Sequence, residues 1–133
     1  MATIQSELQT RARASDVWAA IRDVGALHTR LVPGFVVDTK LEPGARVVTF
    51  ANGLTVREPI VAHDDGRRRL VWTAEGGSAR HYNASIQVLS PPGGGASVVW
   101  IVDFLPDELE GYLSQAMAAG IAAMQRALDQ LAP

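Results

Sequence analysis

The chain has 133 residues, no cysteine, and 12 basic residues against 14 acidic residues, which gives a formal net charge of −2. This length is typical of one domain with a single core, so we expect residues 1–133 to form one domain. The small net charge provides no field to attract nucleic acid or an anionic membrane. The absence of cysteine excludes disulfides, thiolate nucleophiles and thiolate metal sites, and it is typical of proteins from a reducing compartment.

Targeting and membrane signals are weak in this sequence. The opening residues "MATIQSELQT" alternate in polarity and lack the apolar centre of a signal peptide, which favours a cytoplasmic protein. The uncharged run at residues 111–125 is shorter than the roughly 20 apolar residues of a membrane span, and it contains Ser114. We therefore expect a buried helix there and no membrane insertion.

A strand and two short helices are predicted in the first third of the chain. Alternating polarity over residues 3–11 predicts a strand with Ile4 and Leu8 on its inner face. The segment "ASDVWAAIRDVG" predicts a helix with Ser15 as its N-cap and Gly25 as its left-handed stop. The segment "ALHTRLVPGF" predicts a second short helix that ends before the Pro33-Gly34 pair.

Six strands are predicted after Phe35, because turn signals recur at near-regular intervals. These signals are Pro43-Gly44, Asn52-Gly53, Asp64-Asp65-Gly66, Gly76-Gly77 and Pro91-Pro92. Consecutive strands joined by such short turns are antiparallel neighbours. The Asn52-Gly53 pair predicts a two-residue type I′ hairpin, in which both residues have positive φ.

A long helix is predicted at the C-terminal end, over residues 107–131. Asp107 and Glu110 have the spacing of a capping box. An apolar stripe follows the helix at helical spacing: Leu109, Leu113, Met117 or Ala116, Ile121 or Gly120, Met124, Leu128 and Leu131. About 25 residues give a rod of roughly 37 Å, which is long enough to cross a small sheet.

This order of elements resembles the START/Bet v 1-like (SRPBCC) superfamily, and within it the polyketide cyclase/dehydrase-like group. The segments that carry the resemblance are "ASDVWAAIRDVGAL", "VREPIVAHDDGRRRLVWTAEGG" and "SVVWIVDFLPDELE". The resemblance implies an α+β helix-grip fold, in which a curved seven-stranded antiparallel sheet wraps around the long C-terminal helix and two short helices follow the first strand. It also implies an apolar cavity that binds, carries or cyclises hydrophobic molecules.

Glu58 is the candidate catalytic residue, because its position conflicts with its surroundings. It shares a strand face with the apolar residues Val56 and Ile60. A carboxylate that faces a core must be paired, hydrogen-bonded or protonated. Three interpretations stay open: a bulge near Pro59 turns Glu58 outward, Glu58 forms a structural ion pair with an arginine such as Arg46, or Glu58 lies at the polar end of a cavity.

Aromatic residues and the C-terminal helix supply the other candidate site residues. Trp72, Trp100 and Tyr82 have the strand parity of inward-facing residues, as core filling or as cavity walls. Gly120 inside a helix indicates either close packing or a notch left for a ligand. The full candidate ligand-binding set is Val56, Glu58, Ile60, Trp72, Tyr82, Trp100, Leu113, Met117, Gly120, Ile121 and Met124.

Two further kinds of site are disfavoured: a metal site, and a polar site on the predicted strand "HYNASIQV". His28, His63 and His81 are scattered and lack the spacing of metal ligands, so we expect no metal and no other cofactor. In "HYNASIQV" the polar residues alternate with apolar ones and are expected in solvent. Val99 and Ile101 make the last strand apolar on both faces, which leaves a monomer or a homodimer open.

Three functions are consistent with these residues. The leading hypothesis is a binder of a small hydrophobic molecule, cyclic or aromatic. The first alternative is an aromatase/cyclase or dehydratase without a metal or organic cofactor, in which Glu58 is the acid or base and Tyr82 or Trp72 orients a carbonyl. The second is an interaction module whose cavity is only structural. An enzyme needs at least two polar groups that converge in the pocket.

Overall fold

Seven antiparallel strands form one sheet in this computed structural model, which describes all of residues 1–133. The order across the sheet is β1-β7-β6-β5-β4-β3-β2, so that every neighbour except the β1–β7 pair is consecutive in sequence. The predicted α+β helix-grip fold is confirmed. The strands are β1 (Ala2–Thr10), β2 (Val36–Glu42), β3 (Ala45–Phe50), β4 (Thr55–Asp64), β5 (Arg69–Thr73), β6 (His81–Leu89) and β7 (Ala96–Leu105).

Two α-helices and several short helical turns complete the fold. Helix α1 spans Ala14–Arg22, and helix α2 spans Glu110–Asp129. The predicted second short helix is instead a 3₁₀ turn at Val24–Ala26 followed by a π-helical turn at Leu27–Leu31. Another 3₁₀ turn, Asp107–Leu109, precedes α2. None of the helices combines the length and hydropathy of a membrane span.

The predicted ends of α1 are wrong. Arg13 occupies the N-cap position without a side-chain hydrogen bond, and Ser15 lies inside the first turn. Gly25 does not adopt positive φ and lies in the 3₁₀ turn beyond the helix. A Cβ atom on Gly25 would lie 2.8 Å from Cγ of the exposed Leu41 side chain, so Gly25 allows a close approach of Leu41 and does not serve as a left-handed stop.

The predicted capping box and length of α2 are also wrong. Asp107 lies in the 3₁₀ turn, where its carboxylate pairs with the N-terminal ammonium group at 3.4 Å, and no side chain caps the helix. The helix has 20 residues, which corresponds to about 30 Å. Leu131 lies beyond its end and is 39 % exposed, so it does not belong to the buried stripe.

The β3–β4 connection differs from the predicted type I′ hairpin. Gly53 has φ of 89°, but Asn52 does not have positive φ. The loop has four residues, 51–54, and the Asn52 side chain accepts a hydrogen bond from the Leu54 N–H at 3.0 Å. The side-chain oxygen thereby stabilises a wider turn that sequence spacing alone does not distinguish from a two-residue turn.

The core lies between the inner face of the sheet and the helices, as a cluster of 26 buried hydrophobic residues. Strand β6 shows how the alternation arises: Ala84, Ile86 and Val88 are buried, whereas His81 is exposed. The polar residues of β6 lie on the outer face and not in the core; His81 is exposed there, as predicted, whereas Asn83, Ser85 and Gln87 are half-buried. On β7, Val99 and Ile101 are half-buried on the outer face, and whether a second copy covers them stays a prediction.

Candidate ligand-binding cavity

A large apolar cavity lies between the inner face of the sheet and α2. Its volume is about 840 Å³, and 23 of its 29 lining residues are hydrophobic. The strands contribute one wall, because every second side chain of a strand points to the same face. Helix α2 and the π-helical turn contribute much of the rest, through residues that include Leu31, Ala116 and Met117, and loops between strands complete the lining.

Eight of the eleven candidate ligand-binding residues line this cavity: Val56, Glu58, Trp72, Tyr82, Trp100, Leu113, Met117 and Met124. Three do not. Ile60 and Ile121 are partly buried and pack against the hydrophobic core. At Gly120, a Cβ atom would lie 3.0 Å from the Trp100 ring and 3.2 Å from the Phe35 ring. Close packing therefore explains Gly120, and its notch is filled by these aromatic rings.

Sequence reasoning missed the part of the lining that lies outside the strands and α2. Leu27, Leu31 and Val32 come from the segment around the π-helical turn, and residues 51–52 and 77–79 come from two loops between strands. The apolar spacing in "ALHTRLVPGF" marked a buried segment. It did not indicate that this segment faces a cavity, because burial against a void and burial against a core leave the same pattern in the sequence.

The polar end of the cavity is formed by Arg46 and Glu58, which are direct partners across β3 and β4. Nε of Arg46 donates to Oε1 of Glu58 at 2.8 Å, and both side chains are almost completely buried. Nη1 of Arg46 also donates to the Val24 carbonyl oxygen at 3.4 Å, and the guanidinium carbon lies 5.1 Å from the centre of the Trp72 ring. Arg46 is thus held by an anion, a carbonyl and an aromatic face.

Two of the three interpretations of Glu58 hold at the same time. It is ion-paired with Arg46, and it also lines the cavity. The bulge interpretation is wrong, because the irregularity in β4 falls between Ile60 and Ala62 and leaves Glu58 on the inner face at 6 % exposure. A β-bulge changes the facing of residues beyond it and not of those before it.

Burial is the main cause of the pKa shifts at the polar end of the cavity. It raises the pKa of Glu58, while the charge and hydrogen bond of Arg46 lower that pKa without cancelling the increase. Burial also raises the pKa of Tyr82, and the negative charge of Glu58 adds to that effect. The Tyr82 hydroxyl therefore remains protonated, and it makes no hydrogen bond to the protein.

The indole N–H groups of Trp72 and Trp100 are less suited to ligand binding than predicted. The Trp72 N–H lies close enough to Glu58 to lower the pKa of that carboxyl slightly. Neither indole nitrogen reaches a hydrogen-bond partner with good geometry, and both nitrogens are fully buried. A ligand in the cavity consequently meets the ring carbons of these residues and not their N–H groups.

A row of four residues, which we term the cross-sheet row, connects the polar groups across the inner face. Arg46 pairs with Glu58. The pairs Arg57–Glu75 and Ile60–Trp72 place Glu58 opposite Ala74. The pairing of Thr73 with Asn83 in turn places Ala74 beside Tyr82. The order across the strands is therefore Arg46, Glu58, Ala74, Tyr82, with the smallest side chain between Glu58 and Tyr82.

The histidines have contacts outside the cavity. Nδ1 of His28 lies 3.1 Å from Oγ1 of Thr39, and the ring of His63 packs edge-on against Trp18 with ring centres 5.7 Å apart. His81 is exposed at the start of β6. No group of three or more histidine, cysteine, aspartate or glutamate side chains is placed to hold a metal ion.

Comparison with known proteins gives a family match over the whole chain. The family model described as "Polyketide cyclase / dehydrase and lipid transport" matches residues 1–133. A comparison with curated proteins finds no match.

Solved structures share the fold at low sequence identity. The protein XoxI from Bacillus cereus is 20 % identical with a TM-score of 0.86, over 96 % of each chain. A START superfamily protein from Mycobacterium smegmatis is 9 % identical with a TM-score of 0.77, over 97 % of this chain and 98 % of the other. A point mutant of norcoclaurine synthase from Thalictrum flavum, bound to a transition-state analogue, is 20 % identical with a TM-score of 0.70, over 98 % and 93 %. These likenesses establish the fold.

Proposed function

The chain belongs to the polyketide cyclase/dehydrase and lipid transport family, and on that premise we propose that it binds a small hydrophobic molecule in the cavity between the sheet and α2. The observation that carries this proposal is the cavity itself, with about 840 Å³ and 23 hydrophobic residues among its 29 lining residues. Small-molecule sites are typically clefts of roughly 300–1,000 Å³ with apolar walls and a few polar groups. We propose no metal and no cofactor for this activity.

The physical basis of binding is the removal of apolar surface from water. Burial of apolar surface contributes about 25 cal/mol per Å², and a preformed cavity limits the cost of ordering the protein around the ligand. Leu70, Val56 and Ile86 supply rigid aliphatic contacts from three strands, whereas Met117 and Met124 supply adaptable ones from α2.

The test is a titration with aminoanthracene, a neutral aromatic probe whose fluorescence increases in apolar surroundings. Trp72 and Trp100 line the cavity, so bound probe is expected to accept excitation energy from tryptophan. The third tryptophan, Trp18, lies outside the cavity and donates its N–H to Asp65 at 2.9 Å.

A matched pair of variants on α2 identifies the site. Ala116 lines the cavity and Ala119 is exposed on the same helix. We expect Ala116→Trp to weaken probe binding at least about fivefold by filling the cavity, and Ala119→Trp to leave binding unchanged. Absence of probe binding in the native chain, or equal binding by both variants, would contradict the proposal and favour an interaction module with a structural cavity.

A second candidate function, a dehydratase-like enzyme, is supported by the buried carboxyl of Glu58, which lines the same cavity as the protonated Tyr82. A buried acid with a raised pKa in a pocket is typical of catalytic sites. The test substrate is the aldol of benzaldehyde and acetone, which loses water to form benzylideneacetone with strong ultraviolet absorption. Turnover that Glu58→Gln abolishes supports an enzyme, whereas turnover equal to the uncatalysed rate in the native chain rejects this chemistry.

A further inference from the structure

Building on the proposed function, we infer that the ligand carries a neutral hydroxyl group that sits over Ala74, between Glu58 and Tyr82. The inference concerns the chemical class of the ligand and the residues that select it. It rests on the strand register, on the hydrogen bonds already made within the cross-sheet row, and on the charges that line the cavity.

The strand register leaves a space of defined width over Ala74, between Glu58 and Tyr82, which we term the seat. Glu58 and Tyr82 lie two strands apart, with Ala74 between them. Neighbouring strands are about 4.7–4.9 Å apart, so the two backbones are separated by roughly 10 Å. The methyl group of Ala74 leaves this interval open, and all three residues line the cavity. A group the size of one oxygen atom over Ala74 therefore lies between a carboxyl and a phenol.

The hydrogen bonds left unmade in this seat match a hydroxyl. Oε1 of Glu58 accepts from Arg46, and the Trp72 N–H approaches the carboxyl without reaching it in good geometry, so the carboxyl keeps acceptor capacity for a ligand. The Tyr82 hydroxyl has no partner and stays protonated as a donor. A hydroxyl both donates and accepts, so it bonds to Tyr82 and to Glu58 whether or not Glu58 carries a proton. A ketone or ether oxygen accepts only and leaves an ionised Glu58 without a donor.

The charges in the cavity favour a neutral ligand. Arg46 and Glu58 are the only residues with ionisable acid or base side chains of opposite sign among the 29 lining residues, and they are paired with each other at 2.8 Å. A ligand carboxylate would place a second buried anion beside Glu58 with no unpaired cation to balance it. The seat therefore selects against acids of the same shape, which separates this ligand class from free fatty acids and other carboxylates.

Four naphthalenes of similar shape test the inference by calorimetric titration at neutral pH: β-naphthol, β-methoxynaphthalene, β-methylnaphthalene and β-naphthoate. We expect β-naphthol to bind roughly tenfold more tightly than β-methylnaphthalene, with the methoxy compound between them and the naphthoate weakest. Equal affinity of the naphthol and the methyl compound would overturn the inference while leaving the proposed function intact. Failure of all four to bind would overturn the proposed function as well, and a naphthoate that binds most tightly would overturn the neutral class.

Two variants assign the preference to the seat. Tyr82→Phe removes the donor and keeps the ring, and Ala74→Leu fills the space over Ala74. Both are expected to bring the affinity ratio of naphthol to methylnaphthalene close to one. The matched controls lie outside the cavity: Trp18→Phe removes a donor that serves Asp65, and Ala119→Leu adds the same bulk to an exposed position. A ratio that survives in Tyr82→Phe and in Ala74→Leu would contradict the assignment.

Discussion

Two arginine–carboxylate pairs of nearly equal length lie in opposite environments of this molecule. Arg46 and Glu58 are 2.8 Å apart with side-chain exposures of 2 % and 7 %, whereas Arg22 and Asp65 are 2.9 Å apart with exposures of 50 % and 59 %. Burial raises the pKa of Glu58, while hydrogen bonds from Arg22 and Trp18 lower the pKa of Asp65 to about 2. The distance between the partners therefore does not decide the sign of the shift, and access to water does.

The two pairs also do different work in the fold. Asp65 lies in the β4–β5 turn and receives hydrogen bonds from Trp18 and Arg22 of α1, so this surface pair fastens the helix to the sheet. The Arg46–Glu58 pair connects neighbouring strands and ends in the cavity. One pair stabilises a contact between elements, and the other places polar atoms at the wall of the cavity.

The largest expected effect on stability comes from removing one partner of the buried Arg46–Glu58 pair. Glu58→Leu leaves the buried guanidinium of Arg46 without the hydrogen-bond acceptor that Glu58 supplies and that glutamine at this position would keep, and arginine does not lose its proton. We expect the free energy of unfolding to fall by about 3–5 kcal/mol. The double variant Glu58→Leu, Arg46→Met removes both charges and should recover most of this loss. Urea unfolding of the three proteins measures it, and a double variant less stable than Glu58→Leu would contradict the expectation.

The pH dependence of the stability of Glu58→Gln shows whether the fold raises or lowers the pKa of Glu58. The pKa of Glu58 is raised above its ordinary value of 4.5, so on raising the pH the unfolded chain releases this proton before the folded chain does. The native chain should therefore lose stability relative to Glu58→Gln as pH rises above 4.5, and the two should converge in more acidic solution. A native chain that instead gains stability relative to the variant would mean that Arg46 outweighs burial.

Asp65→Asn should show the opposite pH dependence, with a smaller amplitude because the pair is exposed. The pKa of Asp65 is lowered from 3.8 to about 2, so its ionised form stabilises the fold above 3.8 and this contribution disappears as pH falls towards 2. We expect the native chain to exceed the variant in melting temperature at neutral pH, and the difference to close in acid. A difference that stays constant down to the acid limit would assign it to shape and not to charge.

The smallest effect is expected for Arg22→Ala, since surface ion pairs are screened by salt. The variant should shift the urea midpoint less than Glu58→Leu does, and molar sodium chloride should shrink the difference from the native chain. The corresponding difference for Glu58→Leu should persist in salt, because ions do not enter the site of a buried pair. Equal salt sensitivity of the two variants would remove the distinction between the pairs.

Much of the fold was predictable because burial on one face leaves a period of two in the sequence. The alternation in β6 and the turn residues at Pro43-Gly44 marked strands whose bounds the structure reproduces closely. Helix ends were not predictable in the same way. Ser15 and Asp107 have the chemistry of caps, but Ser15 lies inside the first turn of α1 and Asp107 lies in the 3₁₀ turn before α2, so neither side chain caps a helix.

For the candidate site, the sequence predicted which residues of a single strand face inward, but not how residues of different strands lie relative to one another. The parity of its strand placed Glu58 inward, and its pairing with Arg46 was one of the alternatives. The position of Ala74 between Glu58 and Tyr82 depends on the register of three strands at once, which alternation within one strand does not contain. Gly120 was ambiguous for the same reason, since its partner Trp100 comes from a distant strand.

The cavity also determines how the protein responds to compression. Whatever part of its 840 Å³ is not occupied by water disappears when the chain unfolds, so hydrostatic pressure shifts the equilibrium towards the unfolded state. A bound molecule that fills this space reduces the volume lost on unfolding. Occupancy of the cavity therefore changes the stability of the fold under pressure, and we expect the ligand-filled protein to stay folded at pressures that unfold the empty one.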